Sequence, residues 1–346
     1  MSLSGLWSVA LLLAGTALLI MVGLIIARSV EERRTLRHGD ERRRLIPLLL
    51  GSERDATALP RSGKPNELLT DLAVELIQMV RGEERERLTA AAARAGVPHR
   101  LLRRLRSRSA QARIGAVEAL AAFRFQQTVS ALRGALGDRN ADVRMAAAMS
   151  LAAMGEAPPA RELIDQLGIG TRENSLLAVG LFEDIAATRP QEVRAVIEDP
   201  TVPGLAKAAA IDSLSASGDY SLVPVITRLA LAADLGAEEL PRYLQSLARF
   251  GHPAAIPAIK RALGSDAPRA RAAACEAAGL VAVAELAGRL IELLDDPDWW
   301  VRFRAAEALT RLGNPGAELL GRTAREGSPV AARAAALTLA ERGITA

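Results

Sequence analysis

The stretch DRNADVRMAAAMSLAAMG (residues 138–155) and its echo DPDWWVRFRAAEALTRLG (296–313) decide the fold of this chain. Each runs from a turn rich in Asp and Asn, through Val-Arg, into an alanine-rich segment closed by glycine. Val143, Ala146, Ala147, Ser150 and Leu151 recur at the spacing of one helical face. Asp, Asn and Ser accept the free amides at a helix start, and Pro suits its first turn. Glycine ends the helix, at Gly155, Gly218, Gly251, Gly313 and Gly343.

Three further copies follow the pattern: EGSPVAARAAALTLAERG (326–343), SRSAQARIGAVEALAAFR (107–124) and GSDAPRARAAACEAAGLV (264–281). Their matching arginines are Arg113, Arg144, Arg271, Arg302 and Arg333. Three intervals, 113–144, 271–302 and 302–333, are 31 residues, and the 127 residues from 144 to 271 are close to four such units. TRENSLLAVGLFEDIAATR, PGLAKAAAIDSLSASG and AEELPRYLQSLARFG fill that gap as degenerate copies. They lack the arginine and the turn aspartate, and Pro203 and Pro241 intrude. A second helical segment separates the copies, as in PAAIPAIKRALG (253–264) and VAELAGRLIELLDD (283–296). Each unit is therefore a helix pair. One pair cannot bury its apolar face alone, so successive pairs must stack.

The shared pattern D-x-x-x-x-V-R-x-x-A-x-x-x-L-x-x-x-G resembles the HEAT-repeat superfamily, in the short bacterial form called the PBS-lyase HEAT-like repeat. The resemblance covers residues 98–346, about seven or eight units. It implies an all-α solenoid of helix pairs and is almost silent on function. It also implies that the turn Asp, as at Asp138, and the arginines Arg144, Arg271, Arg302 and Arg333 form a structural ladder linking successive units.

Ahead of the array, Leu6 to Ala27 form an uncharged run, LWSVALLLAGTALLIMVGLIIA. Its 22 residues would span about 33 Å as a helix, close to the roughly 30 Å hydrocarbon core. A cleaved signal peptide has a basic start and a shorter apolar core, and neither is present. Seven arginines (Arg28, Arg33, Arg34, Arg37, Arg42, Arg43, Arg44) follow the run and none precedes it. The expected topology is a single-pass inner-membrane protein of a bacterium, N-terminus outside, repeats in the cytoplasm. The expected fold class is thus all-α, an N-terminal transmembrane helix followed by a HEAT-like solenoid. The expected organisation is a tail (1–5), transmembrane helix (6–27), basic juxtamembrane segment and linker (28–66), helical start or cap (67–97) and repeats (98–346).

The charge is uneven. Residues 1–113 hold 20 Arg and Lys against 12 Asp and Glu, and residues 114–346 hold 24 against 28. The 41 arginines against 3 lysines read as the codon usage of a GC-rich bacterial genome. The one cysteine, Cys275, excludes an intrachain disulfide framework and reads as a small packing residue. His38, His99 and His252 are scattered without metal-ligand spacing. No phosphate loop, dinucleotide fingerprint, HExxH, CxxC or GxSxG occurs. The expectation is no catalytic residue, no metal and no cofactor. The carboxylates Asp295, Asp296 and Asp298 sit at a repeat turn, where capping explains them better than catalysis.

Two features stand out as candidate contacts. The first is RAGVPHRLLRRLRSRSAQAR (94–113), carrying Arg94, Arg100, Arg103, Arg104, Arg106, Arg108 and Arg113. A solvated helix face, the anionic inner leaflet, an acidic protein partner and nucleic acid all remain open for it. The scarcity of aromatics, 3% of residues, argues against base stacking. The second is Trp299-Trp300. Adjacent residues do not share a helix face, so either one packs and the other is exposed as an interface anchor, or both cover the gap between repeats. Together these features read as a non-enzymatic membrane-tethered scaffold that binds protein partners, as an accessory subunit of a membrane complex. From resemblance alone, a polysaccharide-synthesising glycosyltransferase complex is the implied setting. The alternative is nucleic-acid or anionic-membrane binding through 94–113. The lyase in the repeat's name implies bilin attachment as a remote alternative, carried by the repeat unit and by no catalytic pattern.

Overall fold

The computed structural model describes residues 65–172, 176–215 and 218–343, which fall into two compact units divided between Ala135 and Leu136. In the first, α1 (Pro65–Met79) packs on α2 (Gly82–Arg94) and α3 (Val97–Arg104). The chain continues through α4 (Ala110–Leu120) to α5 (Gln126–Ala135). Leu69, Ala73, Leu88, Leu101, Leu120 and Phe123 are buried in its core.

The second unit is a stack of helix pairs. Its chain order is α6 (Ala141–Ala153), α7 (Ala160–Leu167), α8 (Leu177–Thr188), α9 (Pro190–Glu198), α10 (Gly204–Ser215), α11 (Val223–Ala232) and α12 (Leu240–Phe250). There follow α13 (Ile256–Ala262), α14 (Pro268–Val281), α15 (Ala287–Glu292), α16 (Trp299–Arg311), α17 (Asn314–Glu326) and α18 (Pro329–Glu341). The even-numbered helices from α6 to α18 pack each on the next and form one layer; the odd-numbered ones lie against them as a second.

The repeat residues explain the stacking. Asn140 accepts from the Val143 amide at 3.1 Å, Ser328 from that of Ala331 at 3.1 Å, and Asp298 from that of Trp300 at 2.8 Å, so these three copies start a helix where the sequence expects one. Small side chains set the distance between neighbouring helices of the even-numbered layer. Ala270, Ala274, Ala277, Ala278 and Gly279 of α14 are buried, and a Cβ built on Gly279 would stand 2.7 Å from the Ala308 Cα of α16. The backbones approach that closely because nothing larger intervenes. Cys275 is fully buried in the same face, a packing residue as the sequence suggests, and burial pushes its thiol up to about 12.

The expected fold class and location are corrected in one respect. Among the described residues no helix is long and apolar enough to cross a membrane. The longest of them, α1, has 15 residues and reaches about 22 Å, short of the roughly 30 Å needed, and it carries Glu67, Asp71 and Glu75. The run 6–27, read as a transmembrane helix, lies outside the described residues, as do the linker arginines and His38. Over the described residues the architecture is accordingly an all-helical repeat array without a spanning helix, and the expected single-pass, inner-membrane topology finds no support among them.

Candidate protein-interaction site

The candidate site sits where α12, α14 and α16 present their N-terminal turns on the open side of the even-numbered layer. Asp298 starts α16 by accepting from the Trp300 and Val301 amides at 2.8 and 3.3 Å. The next residues in the chain are the tryptophans. Trp299 stacks on Phe303 one turn later, with ring centroids 5.3 Å apart and planes 10° from parallel. Trp300 meets both rings edge-on, at 4.9 Å to Trp299 and 5.7 Å to Phe303. Arg304 lies 5.9 Å over the Trp300 and Phe303 rings. The reading in which one tryptophan packs and the other is exposed is corrected: Trp299 is 51% and Trp300 56% exposed. At the first turn of a helix both side chains clear the packed layer, and each finds its neighbour at i+3 or i+4 on the same helix.

Beside this cluster runs a groove. One cavity of about 460 Å³ is lined by Pro241 and Gln245 of α12, Pro268, Arg269, Ala272 and Glu276 of α14, and Trp300 and Arg304 of α16. A second of about 400 Å³ adjoins it and shares Pro241, Pro268, Arg269 and Asp298. Arg304 is fixed from behind by Glu307 at 2.7 Å and lies 3.7 Å from Glu276. Burial alone would raise the Glu307 carboxyl; the guanidiniums of Arg304 and Arg311 outweigh it and hold that carboxyl below its ordinary range.

Helix α14 also carries a polar staple. Arg271 of α14 donates Nε to Asp296 Oδ2 at 2.7 Å and an Nη to Oδ1 at 2.9 Å, joining one unit to the turn of the next. Its other Nη reaches the Ser265 and Asp266 carbonyls at 2.8 and 2.9 Å. The Asp296 carboxylate raises the Arg271 guanidinium above its usual value.

Residues 98–174 and 268–340 match the family model described as HEAT repeats, and residues 244–265 match that of the PBS lyase HEAT-like repeat. Together the matched segments cover just under half of the chain. No curated protein matches the chain. Among solved structures it is similar to the karyopherin Kap121p bound to the extreme C-terminus of the protein phosphatase Cdc14p, at 13% identity and TM-score 0.42, covering 85% of this chain and 41% of that one. It is similar to importin beta in an ammonium sulfate condition at 16% identity and TM-score 0.42, covering 90% and 53%. It is similar also to human deoxyhypusine hydroxylase in complex with glycerol at 17% identity and TM-score 0.31, covering 72% and 99%. The chain thus spans about half or less of the karyopherin and importin chains.

The HEAT ladder is less uniform than its motif. Arg302 reaches the carbonyls of its own turn, Asp296 at 2.7 Å and Pro297 at 3.0 Å. Arg144 does the same to Asp138 O at 3.0 Å, and its Nε is buried with no hydrogen-bond partner among the described residues. Asp298 stands two residues past Asp296, and Asp138 likewise accepts from the amide two residues on, that of Asn140, at 2.9 Å. Twenty-five residues past Arg144 and Arg302, where Arg271 finds Asp296, the chain has Ile169 and Gly327, so no carboxylate is offered. Arg333 is exposed. Sequence reasoning missed one rung. Arg242 of α12 grips Asp212 Oδ2 of α10 at 2.6 and 3.0 Å, and Ser246 donates to Oδ1 at 2.9 Å. The degenerate unit keeps an arginine rung, with its carboxylate moved from the turn onto a helix.

The basic stretch 94–113 belongs to the first unit and does not form one face. Arg100 donates to Thr70 Oγ1 at 2.7 Å and to Ala95 O at 2.9 Å, Arg104 pairs with Asp71 at 2.5 Å, and buried Arg113 holds the Ser107 carbonyl at 2.9 Å. Desolvation, then the charges of Arg103 and Arg104, lower Arg100 from its usual value. Arg94, Arg103, Arg106 and Arg108 are exposed. Among the described residues no group of His, Cys, Asp or Glu is placed to hold a metal ion; His252 caps the Ala254 amide at 3.1 Å.

Proposed function

We propose that this chain is a non-enzymatic scaffold that binds a protein partner on the open side of its even-numbered helices, at the Trp299–Trp300–Phe303–Arg304 cluster. The observation that carries this reading is the pair of half-exposed tryptophans, held rigid by ring contacts and lying beside a groove. Large aromatic side chains fixed in one geometry lose little entropy on association and dominate interface energies. Stacked repeats supply the extended surface on which such an anchor works. The basic stretch is a weaker candidate, because Arg100, Arg104 and Arg113 spend their guanidiniums inside the first unit. The glycosyltransferase setting rests on resemblance, has no residue here to carry it and forms no part of the proposal. The test is affinity capture with the full chain and its Trp299→Ala/Trp300→Ala variant. The expected result is a stoichiometric protein partner recovered by the native chain and lost by the variant at unchanged thermal stability. A chain that recovers no partner, or a variant that recovers it equally, overturns the reading.

A further inference from the structure

The charges around the groove are unequally spent. Arg304 is committed to Glu307 at 2.7 Å and to the faces of Trp300 and Phe303. Glu276 lies 3.7 Å from the same guanidinium. Asp298 is committed to the first amides of α16. Arg269 differs: it is exposed at the first turn of α14, lines both cavities, and makes no hydrogen bond or ion pair among the described residues. Glu238 lines only the adjoining cavity. The larger cavity therefore presents one uncommitted guanidinium beside apolar walls made by the Trp300 ring, Pro241, Pro268 and Ala272.

We propose that this groove takes a short acidic segment of the partner protein, with an apolar side chain against Trp300 and an adjacent carboxylate on Arg269. The inference rests on the protein-binding reading of the same face and adds the partner's chemistry. A cavity of about 460 Å³ admits a few side chains of an extended segment. A carboxylate matches the planar fork of an arginine by two parallel bonds, which lysine or a neutral group on the partner cannot reproduce.

The test uses the full chain carrying Trp7→Phe, so that Trp299 and Trp300 alone report by fluorescence. The probes are a blocked pentapeptide alternating aspartate and leucine, its lysine and serine counterparts, and a single-stranded DNA 20-mer. The acidic peptide is expected to bind about tenfold or more tighter than the serine peptide, as a charge-assisted pair allows. Arg269→Glu is expected to invert the order, favouring the lysine peptide. That variant keeps its fold, since Arg269 is exposed without a partner and a carboxylate suits a helix start. Trp300→Ala should abolish acidic-peptide binding. Equal binding of the three peptides, no binding of any, an order indifferent to Arg269→Glu, or tighter binding of the DNA each overturns the inference. A partner captured by the native chain and retained by Arg269→Glu would overturn it while leaving the scaffold reading intact; capture of no partner would remove the scaffold reading itself.

Discussion

Arg271 and Asp296 tie one repeat to the next through a two-point ion pair whose side chains are only 11% and 4% exposed. Attraction in such a place is offset by desolvation of both charges, so the pair is weak evidence of net stability. Breaking it is another matter, because the surviving charge stays buried without its counter-ion. Arg271→Ala or Asp296→Ala should each cost about 3–5 kcal/mol. The double change Arg271→Ala/Asp296→Ala should cost less than the sum of the two single ones. Urea unfolding of the four proteins gives the coupling directly; strictly additive effects would show that the two side chains act independently.

The approach of α14 to α16 makes a prediction of opposite sign to helix propensity. Alanine is a better helix former than glycine by about 1 kcal/mol, so an exposed Gly→Ala change would stabilise. At Gly279 the new methyl would meet backbone, the Ala308 Cα at 2.7 Å, and no rotamer change relieves that. Gly279→Ala should therefore destabilise by about 1–3 kcal/mol, the range of overpacked cores. A thermal midpoint equal to or above that of the native chain would show that the two helices can separate without loss.

How far the sequence discloses this depends on whether the signal is local. Helix pairs are legible because capping residues, the Val-Arg step and a closing glycine recur at fixed spacing, and each acts within one turn of the chain. Gly251 and Gly313 adopt φ of 60° and 73° where the pattern ends a helix. The Arg242–Asp212 rung is invisible to the same pattern because its carboxylate sits on α10 instead of a turn. The groove is invisible for a related reason. Pro241, Arg269 and Trp300 come from three successive units, and only the stacking of α12, α14 and α16 brings them together. The tryptophans are conspicuous in the sequence, but their shared exposure depends on where the packed layer ends, which no local spacing encodes.

Ala282 occupies a position the repeat gives to glycine. It ends α14 with φ 57° and ψ 47°, the left-handed region, and it is exposed. That conformation costs an L-residue roughly 1–2 kcal/mol, and glycine avoids the cost while losing somewhat more entropy on folding. Ala282→Gly should raise stability by about 0.5–1 kcal/mol once both are counted. Differential scanning calorimetry of the single variant checks it, and a lower midpoint would mean that the αL strain is relieved by contacts of the Ala282 methyl.

Glu307 links the candidate site to pH. Its carboxyl is held below its ordinary value in the folded chain by Arg304 and Arg311, at 2.7 and 2.8 Å, against the opposing effect of burial. A depressed folded value means that the contribution is complete above the unfolded value, near about 4.3. It is lost as the pH falls through the lower folded value. All three side chains are partly exposed, so solvent limits the contribution to about 1 kcal/mol. Between pH 7 and 5 the contribution of Glu307 should therefore be constant, and so should the tryptophan emission of the Trp7→Phe chain. Below pH 4 protonation of Glu307 should free Arg304 from its anchor, and the emission of Trp300 should shift before the chain unfolds. Glu307→Gln should show the low-pH emission already at pH 7 and lose that part of the acid dependence. Emission that follows only global unfolding, in both proteins, would mean that Arg304 keeps its place over Trp300 without the carboxylate.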